Sequence, residues 1–197
     1  MKLYVVEGLD GSGKDFLINN MLKYDEKLIQ ISDGCSKIQN LNDLIYEGTT
    51  NKYKSLYSLI EHELMRRIEE AYRSGADRAV VSRFIASTYA YQVYTANLYP
   101  NEFFDMYKRI KEYADFFGVR IKYIFRDIGA EIAKQRLSVY DDMDEYFIQN
   151  AQKINDGYKE FFEKISDEFV YRMDQQDLTE SDIKELVHKI QQSPVEV

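Results

Sequence analysis

Nine consecutive residues carry the most specific chemistry in this 197-residue chain: Glu7-Gly8-Leu9-Asp10-Gly11-Ser12-Gly13-Lys14-Asp15. From Gly8 to Lys14 they fit G-x-x-x-x-G-K, the first seven positions of a phosphate-binding P-loop. Gly8, Gly11 and Gly13 let the backbone curl, so that N–H groups, that of Ser12 among them, face phosphate oxygens. A helix opening at Lys14 adds the positive end of its dipole. Lys14 is a mobile point charge suited to the terminal phosphates. The eighth position of the motif calls for a Ser or Thr hydroxyl that holds magnesium; here it is Asp15.

Further charged residues sit where strands should end. Ser82-Arg83 closes the apolar run Arg78-Ala79-Val80-Val81, and Arg126-Asp127 closes Val119 to Phe125. The run Asp141, Asp142, Asp144 and Glu145 reads either as a metal site or as a solvated, negatively charged helix start, and the second reading is favoured. Cys35 is the only cysteine, so no internal disulfide and no cysteine-based metal site is expected. His62 and His188 lie far apart and read as structural.

Periodicity supplies the elements that position these groups. The loop lies between the apolar run Leu3-Tyr4-Val5-Val6 and the amphipathic segment Phe16 to Leu22, a strand–loop–helix order. Lys27 to Ser32 predicts a second strand, Asp33-Gly34 a turn, and 36–48 a helix or loop. Between Lys52 and Ser74, Leu56, Leu59, Ile60, Leu64, Ile68, Ala71 and Tyr72 share one helical face. Residues 85–97 and 101–117 predict helices, the latter placing Phe103, Phe104, Tyr107, Ile110, Ala114 and Phe117 together. A short helix over 130–137 and a polar stretch over 138–145 follow. A long helix then aligns Phe147, Ala151, Ile154, Tyr158, Phe161 and Ile165. Phe169 to Met173 is a last strand, and Thr179 with Asp182 predicts a capping box for a closing helix to about Gln191. Five strands alternating with helices imply an α/β fold, a mostly parallel sheet with helices on both faces. In such folds ligands sit at the carboxyl ends of the strands. The P-loop, Ser82-Arg83 and Arg126-Asp127 should therefore converge on one site.

Composition bounds the partners. A chain that is 45% hydrophobic and 14% aromatic can build a packed core. A net charge of -8 disfavours an extended nucleic-acid surface but leaves room for a locally positive pocket. No signal peptide is visible before the first strand, and no apolar run approaches the roughly 18 residues of a membrane span. A cytoplasmic, reducing setting is expected.

Three stretches resemble the thymidylate kinase family. Glu7 to Lys14 resembles its E-G-L-D-G-x-G-K opening, and Ser82 to Gln92 its D-R-Y-x-x-S-x-x-A-Y-Q segment. Tyr123 to Arg136 resembles its late strand, helix and nucleobase-side arginine. The resemblance covers essentially the whole chain. It implies a P-loop NTPase fold of nucleotide-kinase type over residues 1–197, with a short lid near 138–146. By this resemblance Lys14 and the loop amides, with Gly8, Gly11, Ser12, Gly13 and Asp15 in the loop, bind the phosphates of ATP. Arg136 lies near adenine. Asp10 reaches the acceptor's sugar hydroxyl, Arg83 holds the acceptor phosphate, Ser87 and Gln92 face its base, and Tyr57 stacks on it.

The sequence departs from the family at defined points. The P-loop Ser or Thr is Asp15, and the aspartate of D-R is Ser82. The two groups have changed places, so Asp15 and Ser82 are expected to flank one magnesium ion. Asp77-Arg78 starts a strand and is a decoy for D-R. The helix arginine near Tyr57 falls at Glu61-His62, with only Arg66 and Arg67 basic further on. The segment usually R-E-P-G is Ile31-Ser32-Asp33-Gly34. Neither the P-loop nor the lid supplies an arginine for the transition state, and Arg126 is the candidate replacement. The expected function is ATP- and magnesium-dependent phosphoryl transfer to a deoxynucleoside monophosphate, an altered or modified pyrimidine included. The alternatives are a catalytically degenerate nucleotide- or partner-binding protein, and a deoxynucleoside kinase. Oligomeric state stays open, a homodimer included.

Overall fold

Strand β1, Lys2–Gly8, is buried along its whole length because it lies at the centre of the sheet and is covered on both faces. A computed structural model describes residues 1–32, 56–138, 145–165 and 170–192. In chain order these form β1, α1 (Lys14–Tyr24), β2 (Leu28–Gln30), α2 (Leu56–Arg73), β3 (Arg78–Ser82) and α3 (Ile85–Thr88). α3 runs directly into a π-helical turn, Tyr89–Thr95. Then come α4 (Pro100–Phe116), β4 (Arg120–Arg126), α5 (Ala130–Ser138), α6 (Glu145–Lys164), β5 (Val170–Met173) and α7 (Glu180–Gln192). The sheet is five-stranded in the order β2-β3-β1-β4-β5, and every pairing is parallel. This is the α/β architecture expected from the alternation of strands and helices.

Strand alternation divides the core in two. Leu3 and Val5 face one side, packed against α2, α4 and α6 through Ile60, Leu64, Phe103, Ile154 and Phe161. Tyr4 and Val6 face the other, packed against α1 and α7 through Leu17, Met21, Ile183 and Leu186. At the amino ends of the strands, Arg78 pairs with buried Asp25 at 3.0 Å, fixing the end of α1 to the start of β3. Arg78 is thus remote from the strand ends where D-R would act, as expected for a decoy.

Sequence and structure differ in detail. Leu59, Tyr72 and Phe104 are 38, 51 and 44% exposed, although their spacing groups them with the core. The covered face of α2 carries Leu56, Ile60, Leu64, Ile68 and Ala71 together with Tyr57, Glu63 and Arg67, and Leu59 and Tyr72 lie outside it. The capping box forms as expected: Asp182 accepts from the Thr179 amide at 2.8 Å, and Thr179 Oγ1 accepts from the Asp182 amide at 3.2 Å. The expected turn at Asp33-Gly34, the 36–48 segment, Cys35, and Asp141, Asp142 and Asp144 of the acidic run lie outside the described residues. Among the described residues no helix is long and apolar enough to cross a membrane.

Candidate active site

Strand register brings the chemistry together. Val6 lies opposite Ser82, and Gly8 opposite Arg126, so the carboxyl ends of β3, β1 and β4 stand side by side. From β1 the chain crosses to one edge of the sheet, and from β4 it continues to the other. A crevice opens where such connections diverge.

The loop after β1 is held by its own lysine. Lys14 Nζ donates to the carbonyls of Gly8 at 3.0 Å and Leu9 at 2.7 Å. Burial lowers the Lys14 pKa to about 8, against the pull of Glu7 and Asp15. Gly13 precedes α1 at φ 83°, and no side chain caps the helix. A Cβ at Gly13 would meet only an Arg136 guanidinium nitrogen at 3.7 Å, so its left-handed backbone alone asks for glycine. Gly8 and Gly11, also at positive φ, have a second reason: a Cβ there would come within 2.6 Å of the carbonyls of Arg126 and Ala133. Ser12 is fully buried, and its Oγ has no hydrogen-bond partner. An orphaned hydroxyl inside a curled loop fits a site built for an external acceptor such as a phosphate oxygen.

Arg83 follows β3 with φ 57°, unusual for a side-chain-bearing residue. Its amide donates to Val6 O at 3.0 Å, and its carbonyl accepts from Arg67 at 2.6 Å. Its guanidinium is ion-paired with Asp10 of the loop and lies 5.6 Å from the Tyr91 ring centre. The Tyr91 hydroxyl donates to the other Asp10 oxygen at 3.0 Å. Beneath them Glu7, fully buried, accepts from the Phe84 amide at 2.7 Å and Ser87 Oγ at 2.6 Å. Burial pushes the Glu7 pKa up, while the Ser87 and Phe84 hydrogen bonds oppose the shift. The Tyr158 hydroxyl lies 2.9 Å from Ser87 Oγ.

Beside Arg83 lies a cleft of about 190 Å³, lined by Glu63, Arg67, Arg83, Ser87, Tyr91 and Gln92 over an apolar floor of Ile60, Leu64 and Phe84. Glu63 and Arg67 are both buried and paired at 2.8 Å. Ser87 and Gln92 thus line one cleft with Arg83.

Two expected residues go elsewhere. Tyr57 does not line the cleft: it is 4% exposed, its hydroxyl donates to Leu98 O at 2.6 Å, and its ring packs edge-on against Phe103. Apolar burial of the ring outweighed display towards a ligand. Arg126 is 1% exposed and donates to backbone carbonyls of Ser12 at 3.3 Å, Met173 at 3.0 Å and Gln175 at 3.0 Å. Burial, with Arg136 nearby, lowers its pKa to about 10. It ties the P-loop to the end of β5 and is directed at carbonyls, which makes it a poor candidate for a transition-state arginine.

Arg136, half-buried, reaches across the loop to Gly11 O at 3.5 Å and is paired with Asp177 at 3.0 Å. Asp15 is exposed on the first turn of α1, and Ser82 is half-buried at the end of β3. Among the described residues no group of three His, Cys, Asp or Glu side chains gathers as a cation site.

Several groups of the site carried no role in the sequence reading: Glu7, Glu63, Arg67, Tyr91 and Tyr158. Glu7 and Tyr91 stand inside the quoted motifs, so a signal was present. Glu63, Arg67 and Tyr158 read simply as helix positions. Neither protein-family models nor curated proteins give a match to this chain.

Proposed function

We propose that this protein is a nucleotide kinase of the thymidylate-kinase type, which moves the γ-phosphoryl group of ATP to a deoxynucleoside monophosphate. One observation carries the reading. Lys14 in its glycine loop and Arg83 beside a cleft stand at neighbouring strand ends, joined through Asp10. Two cations at neighbouring strand ends suit one donor phosphate chain and one acceptor phosphate.

In this reading Lys14, the loop amides and Ser12 Oγ grip the donor phosphates, and Arg136 lies over the same loop. Arg83 turns from Asp10 to the acceptor phosphate, to which a guanidinium offers two parallel donors. Ser87, Tyr91 and Gln92 face the rest of the acceptor. An acceptor phosphate oxygen attacks the γ-phosphorus, the bond to the β-phosphate oxygen breaks, and ADP and a nucleoside diphosphate leave. Such transfer requires positioning and charge neutralisation more than covalent help from the protein.

Magnesium, when bound, neutralises charge between the phosphates, and Asp15 with Ser82 would hold it, both being oxygen ligands. A double-mutant cycle tests this exchange of positions. Asp15→Ser and Ser82→Asp should each weaken magnesium-dependent turnover, and the double swap should recover much of the loss. Additive damage would end the idea.

A second reading, a nucleotide-binding protein without turnover, is favoured by Asp15 alone. A carboxylate about 4 Å from a phosphate charge costs on the order of 4 kcal/mol at an effective dielectric near 20. A coupled ADP-release screen over nucleosides and monophosphates decides. Turnover with a monophosphate supports the first reading, and turnover only with a nucleoside makes it a deoxynucleoside kinase. Silence across the panel with ATP binding intact leaves the second.

A further inference from the structure

The helix that forms one wall of the cleft changes its winding where the wall is made. α3 ends at Thr88, and Tyr89–Thr95 continue as a π turn. Ser87 and Gln92, five residues apart, both line the cleft. In an α-helix residues five apart point roughly 140° away from each other, at 3.6 residues per turn. A turn widened to i→i+5 bonding brings them back towards one side. The wider turn is what allows Ser87, Tyr91 and Gln92 to share a wall.

π turns are rare, so something must hold this one. Thr95, 7% exposed, donates from Oγ1 to the Ala90 carbonyl five residues back at 2.7 Å. The Ala96 amide makes the equivalent backbone bond to Tyr91 O at 3.2 Å. α6 supplies two further contacts from one of its faces. Lys153 Nζ donates to Thr95 O at 2.8 Å. Gly157 admits the turn closely: a Cβ there would lie 2.9 Å from Tyr94 Cβ and 3.0 Å from Ala90 Cα. Gly157 has no left-handed backbone to explain it, so close approach is its reason. One residue further, Tyr158 meets Ser87.

We propose that Thr95, Gly157 and Lys153 are positioning residues for acceptor recognition, acting through the π turn that sets Tyr91 and Gln92 against Ser87. None of the three is among the residues lining the cleft. The proposal rests on the kinase reading of that cleft, and its substrate class is the acceptor nucleotide.

The test uses the full chain, with ATP and a panel of deoxynucleoside monophosphates. Thr95→Val removes the hydroxyl at nearly constant shape, Thr95→Ser restores it, and Gly157→Ala pushes the turn off α6. Lys153→Met, at an exposed position, is the variant with least effect on folding. Thr95→Val and Gly157→Ala should raise the acceptor KM by about ten- to a hundredfold, the scale of a displaced contact surface. They should also change the ratio of kcat/KM between two acceptors, while ATP affinity stays within about twofold of wild type. Thr95→Ser should return both values towards wild type, and Lys153→Met should shift the ratio in the same direction by a smaller factor. A purely structural role would lower Tm without changing acceptor preference. Folded variants with unchanged acceptor KM and unchanged preference overturn the proposal and leave the kinase reading standing. A wild-type protein that transfers phosphate to no acceptor overturns both.

Discussion

The glycine loop after β1 and the wall of the cleft beside Arg83 are built in opposite ways. The loop is contiguous, and its chief side chain bonds to its own backbone: Lys14 to Gly8 and Leu9. The wall is assembled from α2, the turn after β3, and α3 with its π turn, backed by β1 and α6. Several of its polar groups are fixed by distant ones: Phe84 and Ser87 to Glu7, Arg83 to Asp10, Ser87 to Tyr158. In the proposed reading the loop takes the phosphate that every nucleotide carries, and the wall, which can be changed piece by piece, sets acceptor selectivity.

The comparison fails if the two sides do not separate in mutants. Lys14→Ala should reduce turnover by about a hundred- to a thousandfold, the scale of removing a cation or donor aimed at developing charge, and should weaken ATP binding while leaving the fold intact. Arg83→Ala should instead raise the acceptor KM while sparing ATP. Equal loss of ATP binding in both, measured by calorimetry, would place Arg83 on the donor side.

Arg67→Met sharpens the contrast through stability. Arg67 is buried against Glu63 and holds the carbonyls of Ser82 and Arg83. Arg66 keeps Glu63 paired after this change, through two hydrogen bonds of 2.9 Å, so the loss should be about 2–3 kcal/mol, from the charged hydrogen bonds removed and the freed backbone of Arg83. Urea unfolding should show that loss, and the folded fraction should bind acceptor more weakly with ATP affinity retained. A stability change below about 1 kcal/mol would mean that the pair is dispensable.

The smallest effect belongs to the loop without nucleotide. Lys14 loses its proton near pH 8 in the folded protein and near 10.5 in the unfolded chain. Between these values the unfolded chain holds more protons, so stability rises with pH across that window and the penalty is complete below it. The rise should reach about 3 kcal/mol at most. Tyr4, whose pKa burial raises to about 12, acts in the opposite sense above pH 10, so the slope is best read between pH 8 and 10. Lys14→Met should flatten it. A wild-type protein with no slope there would show that the lysine is not confined by its loop.

The sequence by itself determined the order of elements, the parallel α/β class, a glycine loop between β1 and α1, and the capping box of α7. All depend on neighbours within a few residues: apolar periodicity, glycine backbone freedom, and a hydroxyl three residues from a carboxylate. Ser87, Gln92 and Arg83 were legible for a related reason, since the segment that carries them is nearly contiguous.

Tertiary structure decided the rest, because a side chain's role depends on which distant group lies within about 3 Å of it. Arg126 ends a strand, as a catalytic arginine could, but β5 ends beside it, and the carbonyls of Met173 and Gln175 take its donors. Tyr57 shares a helical face with core residues, and only the approach of Leu98 and Phe103 decided that it belongs among them. Arg67 stood in the sequence only as a basic residue further along the helix, and it was the turn after β3 that gave it the carbonyls of Ser82 and Arg83. The π turn is closed locally by Thr95 on the Ala90 carbonyl, but its close approach to α6 depends on Gly157, more than sixty residues on, where a Cβ would lie 2.9 Å from Tyr94 Cβ.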